Sequence, residues 1–405
     1  MPSYLTPGVY IEEISSGLRP IQAVGTSVAA FIGVAPDAAA RVGEAVRIED
    51  WSTFARIFVR DKVATTNLAN AVHGFLTNGG ATCYVVNLGA NANWAQALLE
   101  IERIDEVAII AAPGYTDAIT HDALLTHCER LRDRVAVLDA PAQVASIESL
   151  TQVALVEAPK KKDQPKDGAD AAAAGAAGAK DKKGARSRVS PGGFGALYYP
   201  WIVAKDPIKG EVVETPPSGH IAGIYARTDA TRGVHKAPAN EVIRGAVGVT
   251  YRVTREEQGT LNPAGVNCIR YFGNSGVRVW GARTLDEASS EYRYVPVRRF
   301  VCMVSESLEE ALQWVVFETN HEPLWKAIRR DISSFLTLLW RQGMLQGETP
   351  EQAFFVKCDA ETNPEDVIAA GQVVTTIGLS VVKPAEFVVI RISQQAGAEA
   401  AEKAE

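Results

Sequence analysis

Between residues 28 and 139 the chain alternates short apolar runs with stretches of helical spacing, and this constrains its fold more than any other feature. Residues 28–34 form an apolar run suited to a buried strand. Leu68, Ala71, Val72, Phe75 and Leu76 recur at helical spacing, and Gly79 and Gly80 end that helix. Residues 82–86 read as a strand, 94–104 as a helix and 107–111 as a buried strand closed by Pro113 and Gly114. Residues 120–134 read as a helix with Thr120 as its N-cap, and 135–139 as the next strand. Strand–helix alternation of this kind implies an α/β layer with parallel strands.

Residues 158–190 break the pattern. They hold Lys160, Lys161 and Lys162, an Ala/Gly tract over 171–178, and then Lys182 and Lys183. Nine Lys/Arg stand against four Asp/Glu between 160 and 188, and almost nothing there can enter a core. Such a segment is expected to be a disordered or mobile surface loop. A strand over 196–203 would rejoin the same layer.

The rhythm then changes. A helix is expected over 218–229, strands over 267–271 and 276–282, and a helix over 305–319. Pro323 suits the first turn of a helix that runs to about residue 342. Strands are expected at 353–358 and 373–382, with a short helix opened by Pro364 between them. This half reads as α+β. Each end carries an isolated strand. Residues 9–14 lie between Pro7-Gly8 and Ser15-Ser16-Gly17, and residues 386–392 follow Pro384. An isolated strand must find a sheet edge.

The alternating half invites a search for enzymatic chemistry, and the residues do not supply it. No G-x-G-x-x-G or P-loop pattern follows a predicted strand. The glycines near Pro191 precede a strand rather than a helix. The six His show no metal spacing, and His121 and His127 are six apart on one helix. Ser275 lacks the glycine at 277 that a nucleophile elbow requires, since Val277 stands there. The five Cys read as reduced and buried. Residues 1–5 have neither a basic nor an apolar stretch, so no secretory leader is expected. No run approaches the length of a membrane span. Arg293, Arg298, Arg299, Lys326, Arg329, Arg330 and Arg341 lie among aromatics. With a net charge of -7 they suit a protein interface better than nucleic acid.

Several segments resemble contractile tail sheath proteins. The run from Thr6 to Glu13 resembles the opening of that family, and 223–229 with 233–240 resembles its central signature. Residues 265–270, 280–285, 320–325 and 383–387 resemble its C-terminal blocks. The resemblance covers about 1–35 and 216–393. It implies an α+β sheath core, completed by exchanged terminal strands and carrying an inserted α/β outer domain. The implied division is an arm at 1–22, the start of the core or a link at 23–66, and an outer domain at 67–215 containing the 158–190 insert. The core follows at 216–382, then a C-terminal arm and tail at 383–405.

The implied function is a subunit that polymerises helically around an inner tube and contracts, without cofactor or catalysis. Its partners would be copies of itself, the tube, and baseplate and terminal cap proteins, with no nucleic acid and no membrane insertion. Synthesis in a bacterial cytoplasm and incorporation into a phage tail-like particle are expected. Val9, Tyr10, Ile11 and Glu12 would form the N-terminal exchanged strand. Phe387, Val388, Val389, Ile390, Arg391 and Ile392 would form the C-terminal one. Glu306, Glu309, Glu310, Lys326, Arg329 and Arg330 are candidates for a tube-facing surface. The other classes open to such a chain are a baseplate or tube protein of the same machine, or an α/β enzyme.

Overall fold

A computed structural model of the protein describes residues 21–154, 184–287 and 291–387. The apolar runs become strands of one sheet. The chain opens with β1 (Ala29–Gly33) and β2 (Ala45–Ile48). After α1 (Trp51–Phe54), which runs on into a π-helical stretch at Ala55–Val59, come α2 (Asn67–Asn78) and β3 (Cys83–Asn87). Next are α3 (Trp94–Glu102), β4 (Ile109–Ala111), α4 (Ala118–Leu131) and β5 (Val135–Asp139). Beyond the insert lie β6 (Gly195–Tyr199), β7 (Ile202–Lys205), β8 (Val212–Thr215), α5 (Ser218–Arg232), β9 (Ala246–Val249) and α6 (Arg255–Leu261), then β10 (Val266–Tyr271) and β11 (Val277–Val279).

The main sheet has eight strands in the order β11-β10-β6-β5-β4-β1-β3-β2. Its six inner strands are parallel, and both edge strands are antiparallel. Helices cover both faces. Gly195 turns its Cα face toward Leu125 of α4, while Tyr198, three residues on, bonds Tyr225 of α5 through the hydroxyls at 2.7 Å. Helix α3 shares the α4 side through Arg130 and Glu102, and α2 packs along α5 on the other. β7, β8 and β9 form a separate antiparallel sheet.

The remaining residues build a second layer from α7 (Val295–Ala311), α8 (Glu322–Arg341), α9 (Pro350–Ala353), β12 (Phe354–Lys357), α10 (Glu365–Ala369) and β13 (Thr376–Leu379). Leu324, Ile328, Ile332, Phe335, Leu336 and Leu339 line one stripe of α8, spaced three and four apart, and all are buried. Their cluster takes in Ile21 from the start of the described chain and Phe300 and Met303 from α7. Helix α7 belongs to both layers, because Val295 and Cys302 pack in the first core.

A buried ion pair fixes the two layers to each other. Arg299 on α7 donates to both carboxylate oxygens of Asp229 on α5 (2.9 and 2.5 Å) and to the Thr26 carbonyl (2.8 Å). It also lies over the Tyr225 ring. Thr26 donates its hydroxyl to Asp229 at 2.6 Å, and the Val24 amide donates to Ser307 Oγ on α7. The segment entering β1 is thus held by two helices, α5 and α7. The same layer boundary contains Glu306, half-buried against Asp133. Burial, then repulsion from Asp133 and Glu310, pushes its pKa up to about 8.

Several expectations need correction. One sheet runs from residue 29 to 279, so the boundary expected at 215/216 crosses a single hydrophobic core, and the cores divide near residue 300 instead. The strands at 266–271 and 277–279 join the α/β sheet rather than a separate α+β unit. The N-cap of α4 is Asp117, whose carboxylate accepts from the Thr120 amide at 2.8 Å and the Thr120 hydroxyl at 2.7 Å. The helix expected at 305–319 begins ten residues earlier. Buried Arg298 and Arg299 hid its apolar face, and Pro296 is tolerated in its first turn. The strand expected at 196–203 divides at Tyr199-Pro200 into β6 and β7.

The insert also ends earlier than expected. Arg186, Ser187 and Ser190 are buried. Ser187 bonds His121, Arg186 donates to the Ala264 carbonyl, and Arg188 pairs with Asp122 and Glu129.

Two outcomes follow from these contacts. Deleting 160–183 should leave urea stability within about 1 kcal/mol, because loop-closure entropy changes slowly with length. Extending the deletion to 188 should cost about 2 kcal/mol or more through the lost buried bonds. Equal unfolding midpoints for the two deletions would show that 184–188 ties nothing down. Glu306 binds its proton more tightly in the folded chain than in the unfolded one, so stability should fall as pH rises from about 4.5 to 8. The substitution Glu306→Gln should flatten that slope in melts from pH 5 to 9. An unchanged slope would remove Glu306 as its source.

Candidate functional site

β12 and β13 make a two-stranded antiparallel sheet, paired from Phe354–Leu379 to Lys357–Thr376. Phe354, Val356, Ile377 and Leu379 turn inward and pack against the second core, while Phe355 turns outward over Gly378. Two strands alone do not make a stable sheet in water. This pair rests on α8, which supplies the apolar floor. Among the described residues no strand lies beyond either edge. The Ser380 amide donates to the Ala353 carbonyl at 2.8 Å. Ladder bonds alternate along an antiparallel pair, so Val356 directs its amide and carbonyl, and Phe354 its carbonyl, to the open side of β12, while the Phe354 amide donates to the Pro350 carbonyl.

The chain leaving β13 crosses back to the first layer. Leu345 and Val381 form a bridge, and Glu386 then docks beside α6 and α7. Its carboxylate accepts from Arg283 Nε at 2.9 Å and from Arg283 Nη2 at 2.6 Å. Asn262 adds a bond at 2.7 Å and the Tyr294 hydroxyl one at 3.0 Å. Burial raises the Glu386 pKa, but the bonds from Arg283 and Asn262 outweigh it and hold the group below the usual carboxylate range. Phe387, the next residue, is 74% exposed. At the other end, Thr26 and Val24 are fixed by the Arg299–Asp229 pair and Ser307. The described chain is therefore anchored near both of its limits, at Val24 and Thr26 and at Glu386.

The expected exchange residues Val9, Tyr10, Ile11 and Glu12 lie outside the described residues, as do Val388, Val389, Ile390, Arg391 and Ile392. Phe387 is described and forms no strand. The six candidates for a tube-facing surface do not share one environment. Glu306 faces Asp133 at the layer boundary, while Glu309 and Glu310 are exposed at the end of α7. Lys326 is exposed and paired with Glu322, Arg329 is half-buried, and Arg330 bonds Asp331. Arg298 and Arg299, read from sequence as interface residues, are buried. Arg298 is stacked on Phe194 and Tyr292. The anchors Thr26, Asp229, Arg283 and Glu386 escaped sequence reading. Each is an ordinary polar residue whose partner is distant in the chain.

The α/β layer resembles a nucleotide-binding sheet, yet its ligand positions are filled from within. Ligands of such sheets bind at the carboxyl ends of the strands, against helix N-termini. Here Asp139, at the end of β5, accepts from the Ser218 amide at 2.8 Å, the Ser218 hydroxyl at 2.7 Å and the Gly114 amide at 3.0 Å. The first two lie at the start of α5. Burial pushes the Asp139 pKa up to about 6 against these three donors. Asn67 and Leu68, at the start of α2, lie against Gly114 and Gly33 where β4 and β1 end.

The Ser187–His121 pair has the 2.7 Å separation of a nucleophile and base. Both residues are buried, the other imidazole nitrogen bonds the Tyr115 carbonyl, and burial lowers the His121 pKa to about 4. The pair anchors the end of the insert. All five Cys are buried and free. No group of His, Cys, Asp and Glu among the described residues could hold a metal. No described helix is long and apolar enough to cross a membrane.

Comparisons with known proteins agree with an assembly role. The phage tail sheath protein central domain matches residues 89–285, and the phage tail sheath C-terminal domain matches 287–395. The boundary between them lies close to where the two cores divide. The chain is 30% identical to the sheath of an extracellular contractile injection system, PVC, in a contracted state. That match has a TM-score of 0.77 and covers 98% of this chain and 99% of the other. The helical sheath of the anti-feeding prophage, also contracted, is 29% identical with a TM-score of 0.72, over 97% of this chain and all of that one. The major tail sheath protein of Serratia phage KSP20 is 28% identical over 199 residues, 47% of this chain and 48% of that protein. The chain spans about half the length, or less, of the curated relatives it matches. Across both family domains and these full-length structural matches, the chain belongs to the contractile tail sheath family, whose members are structural proteins of phage tail-like contractile systems.

Proposed function

We propose that this chain polymerises helically around an inner tube and contracts to drive the tube through a target envelope. In this reading residues 9–12 of one copy and 387–392 of another add strands to the open edges of β12–β13 in a third. The observation that carries it is the two-stranded sheet with an apolar floor, neither edge of which is covered by a strand among the described residues. Backbone pairing at a sheet edge gives affinity without requiring particular side chains. A strand with ~5 added bonds, each worth about 0.5–1.5 kcal/mol net, contributes only a few kcal/mol. Repeated at every subunit, that joins a lattice firmly, while single contacts stay weak enough to pivot.

Contraction then needs no fuel molecule. The stored energy is a difference in subunit packing between two lattices, and the filled ligand positions at Asp139 and Asn67 suit a body that moves as a unit. The exposed ends Glu309 and Glu310 and the basic residues Lys326 and Arg329 are the proposed tube-facing groups. A tube, a baseplate and a terminal cap are the proposed partners. Assembly inside a bacterial cell is part of this proposal, and the similarity to contracted injection-system sheaths supports a place in a phage tail-like particle.

Deleting residues 1–14 tests the arm. Chromatography and thermal melting should show a folded monomer, and electron micrographs of the product co-expressed with its tube and baseplate should show no sheaths. Normal tubular sheaths from that variant would overturn strand exchange by the N-terminal arm.

A further inference from the structure

The two ends of the main sheet carry opposite charge. Near the carboxyl end of β10, the β10–β11 hairpin and the loop before α6 gather aromatics and arginines. Arg252 lies over the Tyr271 ring and Arg270 over the Phe272 ring, each 5.3 Å from the centroid. The Phe272 and Trp280 rings are 4.6 Å apart. Helix α6 ties this rim together. Gln258 accepts from Arg270 and donates to the Trp280 carbonyl, and Glu257 accepts from the Tyr251 hydroxyl. Tyr251, Tyr271 and Trp280 nevertheless stay 39%, 42% and 38% exposed. Rings held in place while open to water are the anchors that protein interfaces favour. Between residues 242 and 280 every cation is an arginine, five against two glutamates. Interfaces are enriched in arginine and depleted in lysine, so this bias speaks for a docking face over a merely solvated one.

The amino end of the same sheet is acidic. Asp105 and Asp133 precede β4 and β5, and both repel Glu306 of α7. Asp133 is bonded to buried Arg134. Arg103 and Arg130 are taken by Glu100 and Glu102 of α3, and Asp105 and Glu106 are exposed with no cation paired to them among the described residues. Exposed Arg132 beside Asp133 reduces this negative charge without reversing it. β4, β5, β6 and β10 run parallel, so the acidic end lies opposite the arginine rim. The two cannot meet within one copy. They can meet between copies placed head to tail.

We propose that the aromatic and arginine rim around the β10–β11 hairpin of one copy docks on the acidic amino end of the main sheet of a second copy. Tyr271 and Trp280 supply the apolar area, and Arg252 and Arg255 face Asp105 and Glu106. Such a contact joins unlike surfaces, so its repetition runs on into an open helix rather than closing a dimer. Two rims, or two acidic ends, repel each other, which fixes the direction of the joint. This rests on the sheath reading above and adds to it a joint made by the body rather than by terminal strands.

The test uses full-length chain co-expressed with its tube and baseplate. One variant carries Arg252→Glu and Arg255→Glu, a second carries Asp105→Arg and Glu106→Arg, and a third carries all four changes. All four positions are exposed, so the monomers should melt as wild type does. Each reversal alone should cut the number of sheaths in electron micrographs about tenfold, and the combination should restore it to within about twofold of wild type. Wild-type numbers from both separate reversals, or no recovery in the combination, would overturn the joint. Cross-linking reads the same contact without reversing any charge, and it decides the matter if a reversal misfolds. The five native Cys are buried and free, so Arg255→Cys with Asp105→Cys in one chain adds two accessible thiols. A short bismaleimide should link its sheaths into ladders on denaturing gels, and either cysteine alone should give none. Monomer bands only, from both extended and contracted double-cysteine sheaths, would overturn the joint. Nucleic acid retained by wild-type monomer and shed by the Arg252→Glu, Arg255→Glu variant would assign the rim to another partner and overturn it too. If wild-type chain forms no sheaths, the sheath reading fails, and ladders from concentrated double-cysteine chain in solution still decide the joint separately.

Discussion

A two-stranded sheet leaves a row of backbone donors and acceptors without partners on each side, and this constraint organises the second layer. β12 and β13 are held flat by the apolar stripe of α8, with Phe354, Val356, Ile377 and Leu379 turned down onto it. A protein that left such edges bare would invite uncontrolled pairing. In the proposed reading, terminal strands of neighbouring copies fill them in a controlled way. The described chain is anchored near both of its limits, at Thr26 and at Glu386. The placement of these anchors matters as much as the edges, because a strand donated to a neighbour transmits force only if its own end is held.

The α/β layer serves this arrangement as a rigid body. Its sheet is continuous from β2 to β11, and its core extends into α7, whose lower half lies in the second layer. The buried Arg299–Asp229 pair then joins α7, α5 and the incoming chain. Sheets of this topology elsewhere hold ligands at the carboxyl ends of their strands. In this chain Asp139 meets the start of α5 with its own carboxylate, and Asn67 closes over Gly114. The groups that could bind an anion are spent on holding helices in place.

Much of this was legible in the sequence because it is local. The apolar runs at 28–34, 82–86 and 135–139 became β1, β3 and β5, and Pro323 marked the first turn of α8. Gly79 ends α2 in the left-handed conformation its position required. What failed to show was non-local. Arg298 and Arg299 look like surface charge in a linear reading, but one is stacked between two rings and the other is paired with a carboxylate 70 residues away. The join of β10 to β6 skips more than 60 residues, so the sheet could not be seen to cross 215/216. Glu386 and Arg283 each fell in a segment resembling the sheath family, yet nothing in either segment marks the other as its partner.

The central claim is that each subunit's β12–β13 sheet is completed by strands from two other subunits. A cryo-electron microscopy reconstruction of the assembled sheath tests it most directly. The account predicts a four-stranded sheet there, with residues 9–12 of one neighbour along one edge and 387–392 of another along the other edge. Bare edges, or terminal segments folded back onto their own subunit, would contradict it.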